Sequence, residues 1–97
     1  MPIGVLFDFV GVSQAQYDAV VDGLTKGKGL KSLADWPAPG ILFHVAGPTE
    51  NGWRVVDVWE SEEAFRKFGE ELVPVMQKVG FPEAPPQIFA VHNFIRS

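Results

Sequence analysis

The sequence predicts an α+β fold: a four-stranded antiparallel sheet with two helices on one face, in the order βαββαβ. Two observations carry the prediction. The first is an internal repeat. The two histidines, His44 and His92, stand 48 residues apart in a chain of 97, and the same shift lays Gly4 on Gly52, Val10 on Val58, Ser13 on Ser61, Leu24 on Leu72 and Pro37 on Pro85. Tyr17 falls on Phe65 and Val20 on Phe68 in the same way. A self-similar period fixes architecture ahead of any local assignment, and here it describes one strand–helix–strand unit written twice. The second is local pattern: four short apolar runs bounded by turn residues, and two stretches with apolar residues at helical spacing.

Each element has its own reason. Ile3 to Val10 is apolar except for Asp8, as a strand buried on both faces would be. Gly11 and Val12 turn the chain. Ser13 then caps a helix, with Gln16 completing a capping box and Tyr17, Val20, Val21 and Leu24 forming its inner stripe. Gly27 and Gly29 end that helix. Residues 25–40 are the least regular stretch, opening on Lys26, Lys28 and Lys31 and closing on Trp36-Pro37-Ala38-Pro39-Gly40. Ile41 to Ala46 is the second strand and Trp53 to Glu60 the third, joined through Pro48-Thr49-Glu50-Asn51-Gly52; Asn-Gly is a strong hairpin signal. Ser61 caps the second helix, and Glu62 and Glu63 suit its positive end. Ala64, Phe65, Phe68, Leu72, Met76 and Val79 make its apolar stripe; Pro74 is expected to kink it and Gly80 to stop it. Pro82, Pro85 and Pro86 carry an extended link into a last strand over Ile88 to Ile95. Two interlocked right-handed βαβ units give the spatial order 4-1-3-2, the ferredoxin-like plait, in one domain over residues 1–97.

Composition narrows the function. Hydrophobic residues make up 46% of the chain, with eight Phe and three Trp, which is rich for a domain that buries only a modest core. The net charge of −4 and the mixing of signs offer no basic face for nucleic acid. No cysteine is present, so no disulfide frame or thiolate metal site is expected. Neither a basic leader followed by an apolar stretch nor a membrane-length apolar run occurs, and a cytoplasmic protein is the default expectation. Phosphate-loop, H-x-x-x-H and serine-hydrolase patterns are missing, so no metal is expected.

The strands do not alternate apolar with polar residues as a half-solvated antiparallel sheet should. One phase holds Val5, Phe7, Phe9, Leu42, Trp53, Val55, Trp59, Ala90 and Phe94; the other holds Leu6, Val10, Ile41, Phe43, Val45, Val56, Val58, Phe89, Val91 and Ile95. Only one phase can face the helices. The other needs cover, and a twofold dimer packed sheet on sheet supplies it.

The segment HVAGPTENGWRVVDVWESEEAFRKF, residues 44–68, resembles the hairpin-plus-helix centre of dimeric α/β-barrel proteins, above all the small antibiotic-biosynthesis-monooxygenase-like members. The βαββαβ order extends the resemblance over nearly the whole chain. It implies a dimeric α/β barrel. For activity it implies a set of options: cofactor-free monooxygenase, polyketide cyclase, isomerase or haem enzyme. Haem-binding members typically ligate iron through a helix histidine, which the second helix here lacks, so no cofactor is expected. The alternative is a non-catalytic dimer that binds a small molecule or serves as a structural module.

Polar residues on apolar strands are the places to look for chemistry. His44 and Asp57 are the catalytic candidates. If the hairpin sets 44 opposite 57 or 59, the carboxylate orients the imidazole and raises its basicity; a one-residue slip sends Asp57 to the other face. Trp53 and Trp59 are candidates to wall an aromatic substrate pocket, against the plainer reading of core or interface bulk. Tyr17 would place a phenol over a helix–sheet cavity, although its repeat mate Phe65 makes core packing the first explanation. Arg54, near the rim, is a candidate for a substrate carboxylate. His92 mirrors His44, but strand order sets the two on opposite edges about 14 Å apart at roughly 4.8 Å per strand, too far for a shared metal.

Overall fold

The computed structural model describes residues 1–95. Strand β1 (Ile3–Val10) leads into helix α1 (Gln14–Thr25), then β2 (Ile41–Pro48), β3 (Gly52–Trp59), helix α2 (Glu62–Val79) and β4 (Gln87–Ala90). The four strands form one antiparallel sheet in the order β2-β3-β1-β4, the predicted order read from the other edge. This is the ferredoxin-like α+β fold.

Local chemistry sets the element ends. Ser13 accepts from the Gln16 N–H while the Gln16 side chain accepts from the Ser13 N–H, which closes the capping box. Lys26, not a glycine, takes the left-handed conformation that ends α1, with Gly27 following in the same region. Ser61 caps α2, Glu62 and Glu63 occupy its first turn, and Gly80 ends it at φ 91°. Pro74 lies inside α2, which continues unbroken to Val79.

The helix-facing side of the sheet carries Val5, Phe7, Phe9, Trp53, Val55 and Trp59, and these pack with Phe68 of α2 into the core. The central pair β1–β3 obeys the repeat: Gly4 stands opposite Val58, and their repeat mates Gly52 and Val10 stand opposite each other. The fold therefore has an internal twofold through its middle strands.

The twofold fails at the edges. By symmetry with His44 opposite Asp57, His92 should stand opposite Phe9; instead Phe89 stands opposite Gly4, eight residues out of step. The strand predicted over Ile88 to Ile95 accordingly ends at Ala90, and His92 lies on an exposed bend beyond it. The physical difference lies in the connections: residues 26–40 follow α1, but only 80–86, rich in proline, follow α2. On β2 the ladder shifts between Ile41 and Phe43, a bulge at Leu42.

The open side of the sheet is partly covered by the chain itself. The Phe89 ring lies directly over Gly4, where any Cβ would collide with it. Beyond β4, Phe94 meets Phe43 of the opposite edge strand edge-on at 6.0 Å, so this segment crosses the open face. Much apolar surface still stands uncovered: Val10 is 72% exposed and Val45 49%. No helix among the described residues is long and apolar enough to cross a membrane.

Candidate active site

The β2–β3 hairpin sets His44 directly opposite Asp57, the odd register on which their pairing depends. Both side chains point to the helix side. His44 Nδ1 lies 2.6 Å from Asp57 Oδ1, and His44 Nε2 lies 2.7 Å from the hydroxyl of Tyr17 on α1. Trp59 Nε1 donates to the other oxygen, Asp57 Oδ2, at 3.3 Å. Four side chains from three elements thus form one chain of hydrogen bonds: Tyr17, His44, Asp57, Trp59.

Chemistry orders the protons along it. A carboxylate only accepts, so His44 Nδ1 carries a hydrogen and donates it to Asp57. Nε2 of the neutral ring is then an acceptor, and Tyr17 donates to it. Asp57 is 2% exposed and Trp59 fully buried, so neither N–H of this carboxylate's shell competes with bulk water. Burial pushes the Tyr17 phenol up to about 12, with the negative charges of Asp57 and Asp18 adding to the effect. Tyr17 is therefore a neutral phenol at physiological pH. It can pass a proton to His44 only by taking one from elsewhere.

The Tyr17–His44 end of this chain meets a small cavity of about 50 Å³ between helices and sheet. Its walls are apolar apart from Tyr17, His44 and Asp57 and include Phe7, Phe9, Leu24, Phe68 and Met76. A shallow surface groove shares Tyr17, Val21 and Leu30 with it, which marks the side nearest solvent.

Trp36 also lines the cavity and was missed by the sequence reading. Its ring centroid lies 4.6 Å from that of His44 and 5.8 Å from that of Phe68. The long loop after α1 is tied down to hold it there. Buried Thr25 donates to the Val21 carbonyl and accepts from the Gly29 N–H, both at 2.8 Å. Asp35 accepts from the backbone N–H groups of Lys31 and Ser32, which hold its carboxyl below the usual range. The available signal was a tryptophan inside a Pro-Gly-rich stretch: so large an apolar side chain on a loop needs something to cover it.

The other predicted residues fall elsewhere. Trp59 touches the site only through Asp57 and otherwise packs on Phe68 at 4.9 Å. Trp53 is buried against Tyr17 at 5.1 Å but does not line the cavity. The aromatic wall expected of these two tryptophans is made by Trp36 and phenylalanines instead. Arg54 lies on the open side of the sheet, paired with Asp8 at 2.7 Å, and cannot reach the cavity. That guanidinium holds the Asp8 carboxyl below its usual range. His92, on its bend past β4, is also remote from the cavity lining. Among the described residues no three His, Asp or Glu side chains gather as a metal site would need.

No protein-family model and no curated protein matches the chain by sequence. Solved structures do match over nearly its whole length. SnoaB, a cofactor-independent oxygenase from Streptomyces nogalater, is 14% identical, with 99% of this chain and 96% of that one covered and a TM-score of 0.60. A dimeric ferredoxin-like protein from an uncultured marine organism is 18% identical, covering 99% and 92%, also at 0.60. The ActVA-Orf6 monooxygenase of Streptomyces coelicolor, solved with the ligand nanaomycin D, is 22% identical, covering 99% and 92% at 0.51. The chain shares the ferredoxin-like α+β fold of these proteins. Identities this low carry the fold and not the activity.

Proposed function

We propose that this chain is a cofactor-independent, monooxygenase-like enzyme that works as a cytoplasmic homodimer on an apolar aromatic or polyketide-like molecule, with His44 as its base. The observation that carries the reading is the hydrogen-bonded line Tyr17–His44–Asp57 ending at an apolar cavity. The fold-level likeness to an oxygenase and a monooxygenase supports the class of reaction.

In this reading a substrate methylene flanked by aromatic or carbonyl groups gives its proton to Tyr17 as Tyr17 passes its own to His44 Nε2. Asp57 stabilises the imidazolium that results. The substrate carbanion reduces dioxygen and forms a C–O bond. The O–O bond then breaks, one oxygen staying as a carbonyl and the other leaving as water with both methylene hydrogens. The substrate supplies all four electrons, so the balance needs no further reductant.

The uncovered apolar sheet face, with Val10, Phe43, Val45 and Phe89 exposed, supports a sheet-on-sheet dimer. One observation favours the alternative, a non-catalytic binding or structural dimer. A cavity of about 50 Å³ holds little more than water, so a ring-sized substrate requires part of the lining to move aside.

The test is turnover of anthrones and hydroxynaphthalenes under isotopically heavy dioxygen. Label in a new carbonyl, lost in His44→Ala, supports the enzyme. Binding of these compounds without turnover by the unaltered protein assigns it to the alternative.

A further inference from the structure

Proton removal at Tyr17 and His44 leaves a negative charge on the bound molecule, in a cavity whose walls are almost wholly apolar. Such a charge needs a preorganised donor, because water is not there to solvate it. The donors already described are committed: Tyr17 to His44, His44 to Asp57, and Trp59 to Asp57. Asp57 is itself negative and repels a second anion.

One residue of the cavity wall carries an uncommitted donor. Trp36 Nε1 is buried and has no hydrogen-bond partner among the described residues. A buried unpaired N–H costs about 1–3 kcal/mol, a cost that packing alone gives no reason to carry. Trp53 Nε1 is the other such atom, but Trp53 does not line the cavity. Trp36 does, and its ring sits 4.6 Å from the imidazole that receives the proton.

The geometry points to Trp36 as the oxyanion donor of this site: its indole N–H binds the enolate or phenolate oxygen of the deprotonated substrate. This rests on the proposed function and deepens it by naming the group that holds the anion. It also narrows the substrate class to apolar ring systems bearing an oxygen conjugated with the acidic position. Trp36 keeps its proton throughout. Its contribution is a hydrogen bond that is stronger to the anion than to the neutral molecule, so it favours ionisation.

The experiment titrates a bound chromophore. Juglone, a hydroxynaphthoquinone that changes colour on ionisation, is bound to the full chain and to Trp36→Phe, and its absorbance is followed against pH. Its methyl ether, which cannot ionise, reports cavity shape, and far-UV circular dichroism reports folding. The expected result is a bound pKa at least about one unit higher in Trp36→Phe, a tenfold weaker hold on the anion, with ether affinity kept within about threefold. Equal bound pKa values in the two proteins overturn the oxyanion role while leaving the His44 reading intact. A loss of ether binding as large as the loss for juglone also overturns it, by assigning Trp36 to packing. Failure of the unaltered protein to bind either compound overturns the proposed function and this inference together.

Discussion

Replacing Asp57 by asparagine removes one negative charge and no volume, so it isolates what the carboxylate does. Asp57 accepts from two N–H groups on opposite sides, His44 Nδ1 at 2.6 Å and Trp59 Nε1 at 3.3 Å. An amide can accept on only one of its two ends. If its oxygen stays with His44, the Trp59 N–H faces an NH2 group in a fully buried position. If the oxygen turns to Trp59, the NH2 faces His44 Nδ1 and forces the other tautomer, with the hydrogen on Nε2. A hydrogen bond to a charged group is worth about 1.5–3 kcal/mol, so Asp57→Asn should cost about 2 kcal/mol and Asp57→Ala, which orphans both donors, about 3–5. For a chain of this size about 2 kcal/mol lowers the melting midpoint by roughly 8–16 °C, measured at one fixed protein concentration because a dimer's stability depends on it. Thermal melts followed by circular dichroism give the stability. Long-range ¹H–¹⁵N correlation spectra of the imidazole give the tautomer, expected to be Nδ1–H in the unaltered protein. An Nε2–H tautomer there, or an Asp57→Asn variant within about 0.5 kcal/mol of it, would refute the proton order derived for the site.

Other expectations test separate parts of the structure. Tyr17 should titrate near pH 12, against an ordinary value of 10.0 when unfolded. The folded state then binds the extra proton between those values, so stability is full below pH 10 and falls as pH rises towards 12. Absorbance at alkaline pH and urea melts check this, and Tyr17→Phe should remove that part of the slope. The same variant should cut turnover about 100-fold or more if Tyr17 hands on the proton, whereas a change under about threefold would take it out of the relay. Gly52→Ala would drive a Cβ into the backbone of Phe9 and Gly11, and urea denaturation should show a loss of about 2 kcal/mol or more. Val45→Lys, on the uncovered sheet face, should convert a dimer to monomer by light scattering; an unaltered dimer would place the interface elsewhere.

The fold was legible because its signals are local and repeated. Serine caps, the Asn51-Gly52 hairpin and the two apolar stripes each named an element, and the repeat named their arrangement. The repeat misled where the two halves differ in connection length. Nothing about His92 itself distinguishes it from His44; only the short proline link after α2 slides β4 along and leaves it outside the strand. The pairing of His44 with Asp57 was legible as a condition on register, which sequence alone could not resolve. Tyr17 looked like core because its mate Phe65 is core, and a hydroxyl's partner is a property of three-dimensional position. Trp36 signalled only that something must cover it, not what: loop residues carry no periodicity from which a facing direction can be read.

The single shifted rung at Leu42 has a larger consequence than its size suggests. On either side of it, β2 belongs to two different parities: Ile41 stands opposite Trp59, whereas Phe43 stands opposite Val58 and His44 opposite Asp57. Had the pairing at Ile41 run on without the shift, His44 would face Val56 and project from the open side of the sheet, beyond reach of both Asp57 and Tyr17. Whether the imidazole belongs to the interior or to the outer face is thus decided by a count of residues, odd or even. Deleting Leu42 would remove the extra residue and let a regular ladder from Ile41 keep His44 opposite Asp57, whereas keeping it without the bulge would send the histidine to the open side. Chemistry at this position depends on the register as much as on the side chain.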